Sequence, residues 1–231
     1  MQNLIQNIYA VESRIQAACD AAHRKRDEVT LVAVSKKKPA DLIRAAYEAG
    51  LSVFGENRVQ EAMVKIPELP NGISWHLIGH LQTNKVKQVI HCEFSLIHSV
   101  DSERLLLALE NAAEEQGRTQ PILLQVNVSG EASKFGLPPQ ELLPLLETAA
   151  GCTHLEVQGL MTIPPLTEDP EKAAPHFARL RTLRDEAAQA SGFPLETLSM
   201  GMSHDLEVAI REGATFVRVG TDIFGAREKN V

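Results

Sequence analysis

Leu31-Val32-Ala33-Val34-Ser35-Lys36-Lys37-Lys38-Pro39 reads as a strand that empties into a short turn and then a helix. Four apolar residues in a row suit a strand covered on both faces, as strands of parallel sheets are. Pro39 falls where a helix begins, because its missing N–H is not needed there. Gly50 is where that helix, over residues 40–49, stops. Residues 30–50 thus form one β-α unit, with Lys36 at the exit of its strand.

The same unit recurs along the chain. Further strands are predicted over 52–55, 75–79, 94–100, 122–128, 155–161, 197–200 and 216–219, with helices over 56–66, 84–91, 102–115, 138–150, 171–191 and 205–212 between them. Asp101 is expected to cap the helix after the fourth strand. An amphipathic helix is predicted ahead of the first strand, over 2–22, from the spacing of Leu4, Ile5, Ile8, Val11, Ile15 and Ala18. Alternation of this kind implies parallel strands with crossover helices outside them. Eight units in 231 residues suit a closed (β/α)8 barrel. An open doubly wound sheet is the alternative and would need a topological switch point. No G-x-G-x-x-G follows any strand, which argues against a dinucleotide site. No composition shift marks a linker, so residues 1–231 are expected to form a single barrel domain.

Composition narrows the partners. Hydrophobic residues make up 44%, enough for a large core, and the net charge is −7. An acidic chain without a basic face argues against nucleic acid. Cys19, Cys92 and Cys152 are too far apart for a C-x-x-C pair. The N-terminus lacks a basic region followed by an apolar core, and no apolar run approaches membrane-spanning length. A soluble, cytoplasmic protein with no membrane partner is expected. His76 and His80 are four apart, but Leu77 stands where a zinc helix needs Glu, so no metal site is expected. Gly201-Met202-Ser203-His204-Asp205 begins like a nucleophile elbow and fails at Asp205.

Barrels of this kind carry their sites at the C-terminal ends of the strands, often with a phosphate at the last two loops. Ser203 is placed to cap the helix after strand seven. Gly220 lets the backbone after strand eight come close to an anion, and Thr221 adds a hydroxyl and an N–H. Arg218 shares a strand face with Phe216 and Gly220, deeper in the barrel. It could meet a heteroaromatic nitrogen, or form an ion pair with a carboxylate on a neighbouring strand. Lys36, partly withdrawn from water, could lose its proton and attack a carbonyl to give a Schiff base. The plainer alternative is a solvated basic turn. Glu56 and Asn57 follow strand two. Glu56 reads as an acidic residue at a helix start, whereas Asn57 could lean over a bound ring.

Taken in order, Ala33-Val34-Ser35-Lys36, Phe54-Gly55-Glu56-Asn57, Trp75-His76-Leu77-Ile78-Gly79-His80-Leu81-Gln82, Gly159-Leu160-Met161, Ser199-Met200-Gly201-Met202-Ser203 and Arg218-Val219-Gly220-Thr221 resemble the pyridoxal 5′-phosphate homeostasis proteins. These are also called proline synthase co-transcribed proteins. The resemblance spans nearly the whole chain. It implies a single barrel like the N-terminal domain of alanine racemase and of eukaryotic ornithine decarboxylases. It implies that Lys36 holds pyridoxal 5′-phosphate (PLP) as a Schiff base, with the phosphate at Ser203, Gly220 and Thr221 and the ring nitrogen near Arg218. Its further implication is a carrier that buffers PLP or delivers it to apo PLP-dependent enzymes and influences amino- and keto-acid balance, with no catalytic residues.

The alternative is a fold-type III PLP enzyme such as an amino-acid racemase. Racemases add a β domain that supplies a catalytic tyrosine. This chain stops soon after strand eight, at Ile223-Phe224-Gly225-Ala226-Arg227, and its two tyrosines, Tyr9 and Tyr47, fall on predicted helices. No surplus apolar helix face is evident, so a monomer is expected. Lys37 stands where many members of the family carry Thr, which offers a neighbouring ammonium or a second, weaker amine.

Overall fold

Eight parallel strands close into a barrel in which each pairs with the next and β8 returns to β1. The structure is a computed structural model and describes residues 2–225; Ala226 and Arg227 lie outside the described residues. The strands are β1 Thr30–Val34, β2 Val53–Glu56, β3 Ser74–Leu77, β4 Leu96–Val100, β5 Gln120–Gln125, β6 Leu155–Met161, β7 Thr197–Met202 and β8 Phe216–Val219. Around them lie α2 Ala40–Glu48, α3 Val59–Lys65, α4 Val86–His91, α5 Glu103–Glu115, α6 Leu142–Ala149, α7 Ala174–Ser191, α8 Leu206–Arg211 and α9 Thr221–Phe224, while α1 Gln2–Ala21 precedes the barrel. Closure decides between the two topologies: β1 and β8 share four paired positions, from Thr30 with Phe216 to Ala33 with Val219.

Strand alternation sorts the core into two layers. Leu31 and Ala33 face outward and join the large apolar layer between strands and helices. Val32 and Val34 face inward and pack with Ile78. Leu96, Leu123 and Met161 form a second inner cluster, and Phe216 touches both. Four buried polar residues, His76, His98, Ser199 and Arg218, share this interior.

Helix α1 buries Leu4, Ile8, Val11, Ile15 and Ala18, but leaves Ile5 exposed. It lies against α8 and α9, beside the last two turns of the barrel. Ser102, not Asp101, caps α5, its side chain accepting from the Leu105 N–H at 3.4 Å. Either residue has the oxygen such a cap needs; the break in helical backbone falls one residue later than expected. Among the described residues no helix is long and apolar enough to cross a membrane.

Candidate functional site

Lys36 emerges from β1 half-buried, and the turn that carries it is held from beneath. The Ser35 hydroxyl donates to Glu56 Oε1 at 2.7 Å. Lys65 Nζ donates to the Ser35 carbonyl at 2.9 Å, to Glu56 Oε1 at 2.9 Å and to Glu61 Oε1 at 2.5 Å. Glu61 also accepts the Lys37 N–H. That contact pins Lys37 in the left-handed region, at a φ of 60°, where a residue with a Cβ seldom sits. Glu56 therefore does not open a helix, as its sequence context suggests. It ends β2, is fully buried, and has its pKa raised by burial, an effect that Ser35 and Lys65 only partly offset.

The second part of the mouth is built by β7 and β8. The pairing of β1 with β8 brings Gly220 level with Val34, and a Cβ on Gly220 would stand 3.2 Å from Val34 Cβ and 3.3 Å from Val34 O. A side chain there would push this corner away from β1 two residues before Lys36. Thr221 follows, exposed, as the first residue of α9. Lys38 Nζ donates to the Phe224 carbonyl at 2.9 Å and so ties the lysine turn to α9.

Strand β7 runs two residues further than its sequence pattern suggests and bulges against β8, with the register shifting between Ser199 and Met202. Gly201 makes the bulge feasible: its φ is 91°, and a Cβ would lie 2.4 Å from Ala209 Cβ. The extension moves the start of α8, so Ser203 lies in the turn and does not cap the helix. Asp205 occupies the cap position, and its Oδ1 accepts the Met202 N–H at 2.6 Å.

Beneath these corners a polar chain crosses the barrel. Arg218, 4% exposed, donates through Nη2 to the Thr162 carbonyl at 2.9 Å and through Nη1 to Ser199 Oγ at 2.5 Å. Ser199 Oγ meets His98 Nδ1 at 2.8 Å, and His98 Nε2 meets His76 Nδ1 at 2.9 Å. These hydrogen bonds of Arg218 go to a hydroxyl and a carbonyl, not to a carboxylate on a neighbouring strand. Since Arg218 occupies a lone pair of Ser199, the hydroxyl proton is free to go to His98 Nδ1. His98 then carries its proton on Nε2 and donates to His76, and both rings are neutral. Burial supports that assignment, lowering His76 to about 4, His98 well below its ordinary range and Arg218 to about 10.

Asn57 lies on another part of the mouth from Ser203 and Gly220. It lines a cleft of about 610 Å³ with Arg58, Gly79, His80, Gln125 and Phe135. Its Oδ1 is buried without a hydrogen-bond partner among the described residues. His80 stacks on Phe135, with ring centroids 3.8 Å apart, and lies 3.4 Å from Asp101. Among the described residues no cluster of three metal-binding side chains occurs. The structure thus gathers Lys36, Ser203, Gly220 and Thr221 around β1, β7 and β8, with Arg218 below them and Asn57 to one side. Sequence reasoning missed the Glu56–Lys65–Glu61 cluster and the histidine pair. The only signal for His98 was a polar residue in the middle of an apolar strand.

Comparison with known proteins agrees with this architecture. The alanine racemase N-terminal domain family matches residues 7–228. Pyridoxal phosphate homeostasis proteins of Aquifex aeolicus and Pseudomonas aeruginosa are 45% and 46% identical to this chain, covering 98% and 99% of it and 99% and 97% of their own lengths. That of Mus musculus is 42% identical over 95% of this chain and 85% of its own. PipY of Synechococcus elongatus with PLP bound superimposes with a TM-score of 0.85 at 38% identity, covering 96% of this chain and 100% of PipY. A Clostridium difficile alanine racemase shares the fold, with a TM-score of 0.76 at 12% identity over 100% of this chain and 61% of the racemase. Matched over nearly its whole length by the homeostasis proteins, this chain belongs to the pyridoxal phosphate homeostasis protein family, whose barrel is the alanine racemase N-terminal domain.

Proposed function

We propose that this protein binds PLP through Lys36 and serves in intracellular PLP homeostasis, buffering the cofactor or delivering it to apo PLP-dependent enzymes, with no substrate turnover of its own. The observation that carries the reading is the close approach of Gly220 to Val34, which sets the backbone corner after β8 flush against the strand that leads to Lys36. Bound there, PLP supplies an aldehyde, a pyridine ring and a phosphate dianion. Lys36 is the amine for the aldehyde. Ser203, Gly220 and Thr221 receive the phosphate through hydroxyls and backbone N–H groups. Arg218 has five N–H donors, of which Ser199 and Thr162 engage two, so it retains donors for the ring nitrogen. A guanidinium gives up no proton, which leaves that nitrogen without one. Asn57, with its unpartnered Oδ1, offers a polar contact to the ring from the side. The flush glycine corner and this orphaned amide oxygen are the features that fit the cofactor.

The non-catalytic part of the proposal rests on the tyrosines. Tyr9 is exposed on α1, and a Cβ on Gly72 would lie 2.3 Å from the Tyr47 hydroxyl, at the opposite end of the barrel from Lys36. Neither can face Lys36 to move a second proton, and two-sided proton transfer needs such a group. One observation favours the racemase alternative: His80, beside Asp101, is a proton-handling group at the mouth. We place the protein in the cytoplasm as a monomer, formed from one barrel domain.

Absorption spectroscopy tests the reading. Purified protein loaded with PLP is expected to be yellow, and borohydride should fix the cofactor on the peptide that contains Lys36. Lys36→Ala should be folded and colourless; an unchanged absorption band in that variant removes the anchor. PLP passing to an apo-enzyme faster than it escapes into buffer supports delivery, and equal rates leave buffering. Turnover of an amino acid at about 1–1000 per second, abolished in His80→Ala, would install the enzyme reading instead.

A further inference from the structure

Helix α1 stands outside the barrel, yet one of its side chains reaches both corners that the proposed phosphate site uses. Arg14 Nη2 donates to the Ser203 carbonyl at 2.8 Å. Its Nη1 donates to Asp222 Oδ2 at 2.5 Å, on the second residue of α9. Its Nε donates to Glu207 Oε1 at 2.7 Å and Nη2 to Glu207 Oε2 at 3.1 Å, in the first turn of α8. A planar guanidinium suits this arrangement, since its donors are fixed relative to one another. Asn7, two turns earlier on α1, donates to the Ile223 carbonyl at 3.0 Å and holds the same segment.

Two consequences follow from these contacts. The turn after β7 and the helix after β8 cannot separate without breaking bonds to one rigid group. In addition, Asp222 and Glu207 place two carboxylates beside corners meant for a dianion. At such distances like charges repel, and Arg14 is the cation that lies against both.

We propose that Arg14 is a positioning residue for the phosphate end of the cofactor, holding the Ser203 turn and α9 together and cancelling the two acids beside them. This inference rests on the PLP-binding reading above. It also assigns the helix that precedes the barrel a part in binding, beyond covering apolar surface.

The test compares two probes, PLP and pyridoxal, which carries the same aldehyde and ring but no phosphate. Both are titrated into the full-length protein, with Lys36-dependent absorption and borohydride trapping as readouts. Arg14→Gln should weaken PLP about tenfold, the scale of one charge-assisted contact, while leaving pyridoxal unchanged within twofold. Arg14→Lys should recover part of the loss. Adding Asp222→Asn to Arg14→Gln should also recover PLP affinity, because it removes one repelling carboxylate. An unchanged ratio of PLP to pyridoxal affinity in Arg14→Gln overturns the inference, whether both affinities hold or both fall together. The underlying site is judged separately on the unmodified chain. If unmodified protein shows no Lys36-dependent band, or Gly220→Val binds PLP as well as unmodified protein does, the site itself is misplaced and the role of Arg14 falls with it.

Discussion

The lysine turn and the proposed phosphate corners lie side by side at one mouth, yet they are held by different kinds of charge. Glu56, Lys65 and Glu61 hold the lysine turn from within, and Glu56 has no solvent exposure at all. Arg14 holds the Ser203 turn and α9 from without, with about a third of its side chain exposed, as is that of Asp222. Buried ions are expensive to strand, because the remaining partner has neither water nor a counter-charge. Exposed ion pairs contribute little to folding, because water and salt replace them. The same chemistry therefore serves the fold on one side, and on the other, by the inference above, serves the ligand.

Four stability measurements would break or sharpen that contrast. Lys65→Met should have the largest effect, destabilising the protein by about 3–5 kcal/mol in urea unfolding, since it strands Glu56. Pairing it with Glu56→Gln should restore most of that loss; failure to do so would mean that the cluster acts through shape and not charge.

Acid should come next. The imidazole of His76 is held at about 4 by burial, against an ordinary value near 6.5. Between those values the unfolded chain takes up a proton that the native state refuses, so stability falls as pH falls through this window. The loss from His76 is on the order of 3 kcal/mol by pH 4. His98 acts in the same sense, whereas Glu56, with its raised pKa, acts oppositely, its burden at neutral pH easing as acid is added. Urea midpoints measured between pH 7 and pH 4 should show the acid slope, and His76→Gln should flatten it.

Gly201→Ala should cost about 1–3 kcal/mol, because it combines an unfavourable positive φ with a Cβ that collides with Ala209. Arg14→Gln should cost least, within about 1 kcal/mol and less still at high salt. A loss as large as that of Lys65→Met would place Arg14 among the structural ions and erase the contrast.

Much of the barrel was legible because burial along a strand is a local pattern. The bounds read for β6 and β8, Leu155–Met161 and Phe216–Val219, are those observed. Misreadings cluster where a residue's role depends on a distant partner. Glu56 looks like a helix start until Lys65 and Ser35 close over it. Ser203 looks like a helix cap until the Gly201 bulge lengthens β7. Arg14 drew no reading from the sequence, since its partners lie 189 to 208 residues away.

The sequence by itself determined the order of eight β-α units, the lysine at the first strand's exit and the glycine corner after the last. Those features depend on apolar periodicity, proline and glycine, which act within a few residues of themselves. Only closure of the barrel decided which charges are buried, which histidines stay neutral and which loops share a guanidinium. Coulombic and hydrogen-bond partners are chosen by distance in space, and that distance does not exist until β8 has met β1.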